Sequence, residues 1–224
     1  MRLYIDSADI RDIEEALASG YVYGVTTNPT LLRRAEVRAT AVPGLVRQAV
    51  ALGAKEMHVQ TYADDAIGIV REGVELAGLD PRRIVVKIPA TAPGFKAAAQ
   101  LTAQGLQVTL TAVYTVRQAI LANAVGAHYI AVYLGRMLDS GVDALDLIGQ
   151  MQRTLDTCAA NAPAPGHPVE ILAASVRAPE EVEALAAIHV ATATMPLKVL
   201  MQLPDSPATA GAASTFSEDA RAVQ

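Results

Sequence analysis

The sequence predicts one α/β domain folded as a closed (β/α)8 barrel, the TIM-barrel architecture, and three observations predict it. Short β-branched apolar runs alternate strictly with longer Ala- and Leu-rich runs of helical period, through eight units. The connections are short, and no composition break marks a second domain. The length, 224 residues, holds eight such units with little to spare. Strict alternation implies parallel strands joined by right-handed crossovers. An open doubly wound sheet is the alternative, but it usually carries a glycine-rich turn after its first strand. Here Ile5 leads instead into Asp6-Ser7-Ala8-Asp9.

The first strand is expected at Leu3-Tyr4-Ile5. Ser7 and Asp9 are N-cap candidates for the helix after it, whose face is Ile10, Ile13 and Leu17 and which stops before Gly20. Gly24-Val25-Thr26 is the second strand, followed by a helical face of Leu45, Val46, Ala49, Val50 and Leu52 that ends at Gly53. Met57-His58-Val59-Gln60 is the third, with Ile67, Val70, Val74 and Ala77 repeating the helical pattern before Gly78. The fourth strand is Ile84 to Ile88, and Ala97, Ala98 and Leu101 precede Gly105. Val108 to Thr111 is the fifth, then Ile120, Leu121 and Ala124 before Gly126. Tyr129 to Tyr133, Glu170 to Ala174 and His189 to Thr192 complete the set. The barrel should occupy residues 1–203. Residues 204–224 form an Ala-, Ser- and Thr-rich extension with a last helix around Phe216 to Val223, either packed on a neighbouring subunit or partly ordered.

Composition excludes several classes of function. Hydrophobic residues are 52% of the chain and charged ones 18%, which favours a folded core over disorder. The net charge of -5 comes without a basic stripe, so nucleic acid is not an expected partner. No apolar stretch reaches the ~20 residues of a membrane helix, and the first residues do not read as a leader. A cytoplasmic protein is expected. Cys158 is the single cysteine and falls in an apolar-periodic stretch, more suited to a core thiol than to a nucleophile. Pro29 after Asn28 spoils a glycosylation motif.

The chemistry of a barrel sits at the C-terminal ends of its strands. Here those ends carry Asp6, Thr26-Thr27-Asn28, Gln60, Lys87, Thr111, Tyr133 with Arg136, and Ser175 with Arg177. Lys87 interrupts Ile84, Val85, Val86, Ile88 and Pro89, a run suited to burial on both faces. A lysine so placed is a candidate nucleophilic amine. The competing reading is a lysine that snorkels out of the strand end or pairs with Asp6. A metal site would need clustered imidazoles. His128 and His189 fall at strand starts, His167 in a Gly/Pro loop and His58 below Gln60, so no metal or other cofactor is expected.

The segments Leu3-Tyr4-Ile5-Asp6-Ser7-Ala8, Gly24 to Thr30, Val85 to Thr91 and Thr111-Ala112-Val113-Tyr114 resemble the transaldolase family, in particular its small fructose-6-phosphate-aldolase-like branch. The similarity runs to about Leu203. It implies Lys87 as the Schiff-base lysine, Asp6 as acid/base, Asn28 as hydroxyl-binding and Thr111 as water-holding. Arg136, Ser175 and Arg177 match the phosphate end, and Thr26 and Ala131 are carried over as further substrate-binding positions. Gln60 and Tyr133 match the aldolase branch, where true transaldolases have glutamate and phenylalanine. Val132, where the branch usually has proline, and Thr61 are departures that bear on substrate range.

The resemblance implies a metal-independent class I aldolase that cleaves fructose 6-phosphate reversibly to dihydroxyacetone and glyceraldehyde 3-phosphate. It acts on sugar phosphates and aldehydes and assembles as a homo-oligomer, a pentamer or decamer. A transaldolase that hands the three-carbon unit to a second sugar phosphate is the nearest rival. A barrel that binds sugar phosphates without turnover is the rival from another class.

Overall fold

The computed structural model describes residues 1–161 and 167–223. Eight parallel strands close into one barrel in sequential order, β8 returning to β1. The order is β1 (Arg2–Asp6), α1 (Ile10–Ala18), β2 (Val22–Thr26), α2 (Pro29–Arg34), α3 (Val42–Ala51), β3 (Glu56–Gln60), α4 (Ala66–Ala77) and β4 (Ile84–Pro89). It continues with α5 (Ala92–Ala103), β5 (Val108–Val113), α6 (Val116–Ala124), β6 (Tyr129–Tyr133), α7 (Leu134–Asp139), α8 (Ala144–Ala160), β7 (Glu170–Ala174), α9 (Pro179–Ala187), β8 (Thr192–Met195), α10 (Leu197–Leu200) and α11 (Pro207–Ala222).

Local chemistry starts the helices where the strands end. Asp9 caps α1 by accepting from the Arg11 amide, while Ser7 accepts from the Asp9 amide and donates to Asp12, so both expected cap residues are used. Asp65 caps α4, Thr91 caps α5, and Thr115 with Gln118 forms a capping box on α6. Each cap lies on the C-terminal side of the barrel and fixes how the chain leaves its strand.

Side chains alternate across the sheet. On β6, Ile130 and Val132 join the shell between barrel and helices, while Tyr129 and Ala131 join an inner cluster with Tyr4, Val85 and Leu172. The N-terminal end of the interior is polar and largely bonded within itself, although His58 Nε2 has no hydrogen-bond partner among the described residues. The Glu56 carboxylate accepts from Tyr4 Oη at 2.8 Å and Tyr129 Oη at 3.0 Å, with His58 Nε2 at 3.5 Å. The other ring nitrogen of His58 bonds Thr109 Oγ1 at 2.8 Å, and Arg2 pairs with Glu170. His58 is therefore a core residue of the lower layers, as its position below Gln60 implies. Burial pushes the Glu56 carboxyl up, but His58 and the two phenols outweigh it and hold it below the ordinary value.

Strand eight is displaced from its expected place. The chain at His189 and Val190 is still ending α9: their amides bond the carbonyls of Ala186 and Leu185, and His189 adopts φ 65°. Val190 is buried as the apolar contact that follows a helix end, which is why it resembles a strand residue in the sequence. His189 thus lies in a turn, and Thr192 opens the strand. The last helix begins at Pro207, earlier than Phe216, and buries none of its residues against the barrel. Cys158 is half-buried on α8. No described helix is long and apolar enough to cross a membrane.

His128, just before β6, stacks on His167 with ring centroids 3.6 Å apart and accepts from the Val108 amide. Burial, then the charge of His167, depresses His128 from its ordinary 6.5 to about 4. The unfolded chain therefore takes up the proton first. The stabilisation is complete above pH 6.5 and is lost as pH falls from 6.5 toward about 4. Buried His58, also depressed, acts with the same sign. His128→Asn, which keeps an acceptor for the Val108 amide, should flatten part of this decline. Urea midpoints at pH 7 and 4.5 test it, and equal declines in both proteins would assign the effect elsewhere.

Candidate active site

A cavity of about 660 Å³ opens at the C-terminal ends of the strands. Its wall carries Asp6, Asn28, Gln60, Lys87, Thr111, Tyr133, Arg136, Ser175 and Arg177, so all but two of the residues singled out in the sequence meet there. Thr26 and Ala131 lie deeper, fully buried, and do not form the wall. Thr26 supports Asp6 from below, and Ala131 packs in the inner cluster.

Lys87 is 1% exposed on β4, between Gln60 of β3 and Thr109 of β5 in register. Its ammonium nitrogen contacts the Thr27 carbonyl at 3.3 Å and forms no ion pair among the described residues. It is neither a snorkelling lysine nor the partner of Asp6. Asp6 Oδ1 accepts from Thr26 Oγ1 at 2.6 Å, and Thr26 Oγ1 lies 2.7 Å from Thr194 Oγ1. With Thr26 donating its only hydroxyl proton to the carboxylate, Thr194 is the donor to Thr26. The Asn28 oxygen caps α2 by accepting from the Leu31 amide at 3.0 Å, which leaves the N–H donors of Asn28 for a ligand.

On the opposite wall Tyr133 Oη lies 3.0 Å from Thr111 Oγ1. Arg136 stands over the Tyr133 ring at 4.8 Å, and Tyr114 meets that ring edge-on at 5.8 Å. The two arginines expected together at this end differ in their commitments. Arg177 is held in a bidentate pair by Asp139, at 2.7 and 2.6 Å, so its fork is already filled. Arg136 forms no ion pair among the described residues. Ser175, just after β7, has φ 60°, and Gly135 sits against it: a Cβ on Gly135 would lie 2.5 Å from the Ser175 carbonyl oxygen.

Sequence reasoning missed two residues here. Thr194 was hidden by the displaced eighth strand. Arg34, at the end of α2, lines the cavity lip across the barrel from Arg136, yet it lies on a helix and not at a strand end.

A family model described as transaldolase/fructose-6-phosphate aldolase matches residues 3–224. The chain belongs to the transaldolase/fructose-6-phosphate aldolase family. Relatives named probable transaldolase accord with this family. One from Herpetosiphon aurantiacus is 38% identical and aligned over 98% of this chain and 94% of its own. One from Heliobacterium modesticaldum is 35% identical over 100% and 99%, and one from Desulfotalea psychrophila 34% over 98% and 97%. Two solved structures share the fold at low identity. A designed cube-shaped porous protein cage gives a TM-score of 0.61 at 12% identity, covering 100% of this chain and 78% of that one. A structure titled native KDPGal gives 0.56 at 13%, covering 87% and 82%.

Within this family member, the Gly135–Ser175 contact leaves no room for a side chain. Gly135→Ala should destabilise by ~1–3 kcal/mol through overpacking against backbone, lowering Tm by about 2–4 °C per kcal/mol. It should also disturb Ser175 and Arg177 in the cavity wall. Thermal melts check this, and an unchanged Tm would mean the loops separate freely.

Proposed function

We propose that the protein is a class I aldolase that cleaves fructose 6-phosphate reversibly to dihydroxyacetone and glyceraldehyde 3-phosphate through a Schiff base on Lys87. The observation that carries this reading is a buried, unpaired Lys87 sharing one cavity with Asp6, Asn28, Gln60, Thr111 and Tyr133. The amine attacks the C2 ketone, and loss of water gives a cationic imine that serves as electron sink. Asp6 takes the proton from the C4 hydroxyl, the C3–C4 bond breaks, and the aldehyde leaves an enamine on Lys87. A water held by Gln60, Thr111 and Tyr133 returns a proton to C3, and hydrolysis frees dihydroxyacetone. Asn28 donates to the hydroxyls of the three-carbon unit.

Arg136, with Ser175 and Arg34 at the lip, suits the phosphate of the aldehyde half, while Arg177 contributes through its pair with Asp139. The proposed mechanism calls on no metal. The fully exposed face of α11 supports assembly with further copies of the chain.

The names of the relatives favour a second reading, transfer of the three-carbon unit to another sugar phosphate. Gln60 and Tyr133 favour release, because a phenol can orient the water that protonates the enamine and phenylalanine cannot. Borohydride with fructose 6-phosphate should fix a three-carbon adduct on Lys87, and Lys87→Met should abolish it. An adduct on Lys55, Lys96 or Lys198 would end the assignment. Turnover should persist in chelator. Free dihydroxyacetone should appear without added erythrose 4-phosphate, and efficient formation of sedoheptulose 7-phosphate with no release would favour the transferase.

Arg136→Ala should raise KM for phosphorylated aldehydes while sparing neutral ones, since a charged hydrogen bond is worth ~1.5–3 kcal/mol. Arg177→Ala should do less, because Asp139 already fills its fork. Competition kinetics with both aldehyde types distinguish the two variants, and equal losses for both substrates would make these arginines structural.

A further inference from the structure

Strand β5 changes its facing just where it enters the cavity. Val108 and Leu110 point into the shell between barrel and helices, and Thr109 and Thr111 point inside. Regular alternation would send Ala112 outward and Val113 into the cavity. The opposite is found. Thr111 pairs with Ala131 and Val113 with Val132, so Ala112 is an extra residue with no partner on β6. Its φ is 57°, the left-handed region that a Cβ disfavours, and it lines the cavity beside Thr111. Val113 turns outward and is fully buried in the outer shell. Tyr114, which regular alternation would also turn outward, comes back to the mouth and meets the Tyr133 ring.

We propose that the left-handed bulge at Ala112 positions the Thr111–Tyr133 proton-delivery pair of the active site. It does three things together. It leaves Thr111 Oγ1 at 3.0 Å from Tyr133 Oη, removes the Val113 side chain from the space beside them, and braces the Tyr133 ring with Tyr114. Ala112 is thus a positioning residue, acting on proton return to the enamine and not on imine formation at Lys87, which belongs to the separate strand β4. The inference rests on the Schiff-base reading above, but not on whether release or transfer follows.

The backbone requirement makes an unusual prediction about substitutions. Glycine and asparagine accept a left-handed φ, whereas valine, β-branched, resists it. Two readouts separate the steps: borohydride trapping of dihydroxyacetone on Lys87 reports the imine, and exchange of a dihydroxyacetone C3 hydrogen in deuterated water reports proton movement at the enamine. The exchange rate of Ala112→Asn, despite its larger side chain, should match that of Ala112→Gly, and both should lie at least tenfold above Ala112→Val. Trapping on Lys87 should vary by less than about threefold, a bound set well below the ~10²–10⁴ of a lost acid/base contact. If Ala112→Val fails to fold, as circular dichroism would reveal, the comparison of Gly with Asn and with Ala112→Leu keeps the test: leucine is disfavoured at positive φ without being β-branched. Exchange that falls with side-chain volume alone, or falls in step with trapping, would overturn the positioning role. Absence of any Lys87 adduct in the unsubstituted protein would instead overturn the Schiff-base reading.

Discussion

A closed barrel gives an inward-facing side chain only two routes to water, the two ends, and the rest of this structure depends on that constraint. A polar group in the middle must find its partners inside the protein, because an unpartnered one costs ~1–3 kcal/mol or more. The lower interior largely obeys this rule: Glu56 accepts from Tyr4 and Tyr129 and His58 Nδ1 bonds Thr109, while His58 Nε2, 3.5 Å from Glu56, has no hydrogen bond among the described residues. The upper layer does not. The Lys87 amine has a single carbonyl contact, the Gln60 side chain has no hydrogen bond among the described residues, and Asn28 lines the cavity with its amide donors unused there. The polar groups open to a ligand are therefore concentrated at one end, above a floor whose side chains bond mostly to one another.

That asymmetry explains how much could be read from the sequence. Seven strands were legible because a strand buried on both sides must be apolar over its length, and a lysine or threonine breaking such a run stands out. Their polar last residues converge because parallel strands all end at the same rim, so a list of strand ends became a list of cavity residues. The eighth strand was misplaced because Val190, a buried contact closing a helix, has the same composition as a strand residue. Thr194 went unseen with it. Arg34 went unseen for a different reason: it reaches the cavity from α2, a short helix laid over the mouth after Asn28, and no periodicity separates such a helix from a loop.

Pair geometry was the least legible level. Arg136 and Arg177 look equivalent in the sequence, one past each of two adjacent strands. In the structure one lies over an aromatic ring and the other is forked onto Asp139, which is itself the last residue of α7. The Asp139 partnership depends on how α7 turns at the top of the barrel, and that turn depends on Gly135 approaching Ser175 without a Cβ. A glycine inside a short helix gives no sign in the sequence of what it allows to come close.

The two strained residues at the mouth flank the same strand. Ala112 is the bulged residue of β5 and Ser175 follows β7, both with left-handed backbone, and β6 lies between them carrying Tyr133. Such a conformation costs ~1–2 kcal/mol per non-glycine residue, too much to persist unless the surroundings impose it. Here β6 supplies the imposition. Its regular pairing to β7 runs through Tyr133 and Ala174, immediately before Ser175, while its pairing to β5 skips Ala112. The strand that bears the phenol keeps unbroken register with β7, and the irregularity falls on its two neighbours. Tyr133 ends this regularly paired strand, Thr111 faces it by the ordinary alternation of β5, and the bends bring Ala112 and Ser175 to the cavity wall on either side. A regular strand on either side would align side chains with the pleat, which sends every second one away from the site. Two local departures from the pleat are what bring consecutive residues, Thr111 with Ala112 and Ala174 with Ser175, to one wall, a denser lining than alternation alone allows.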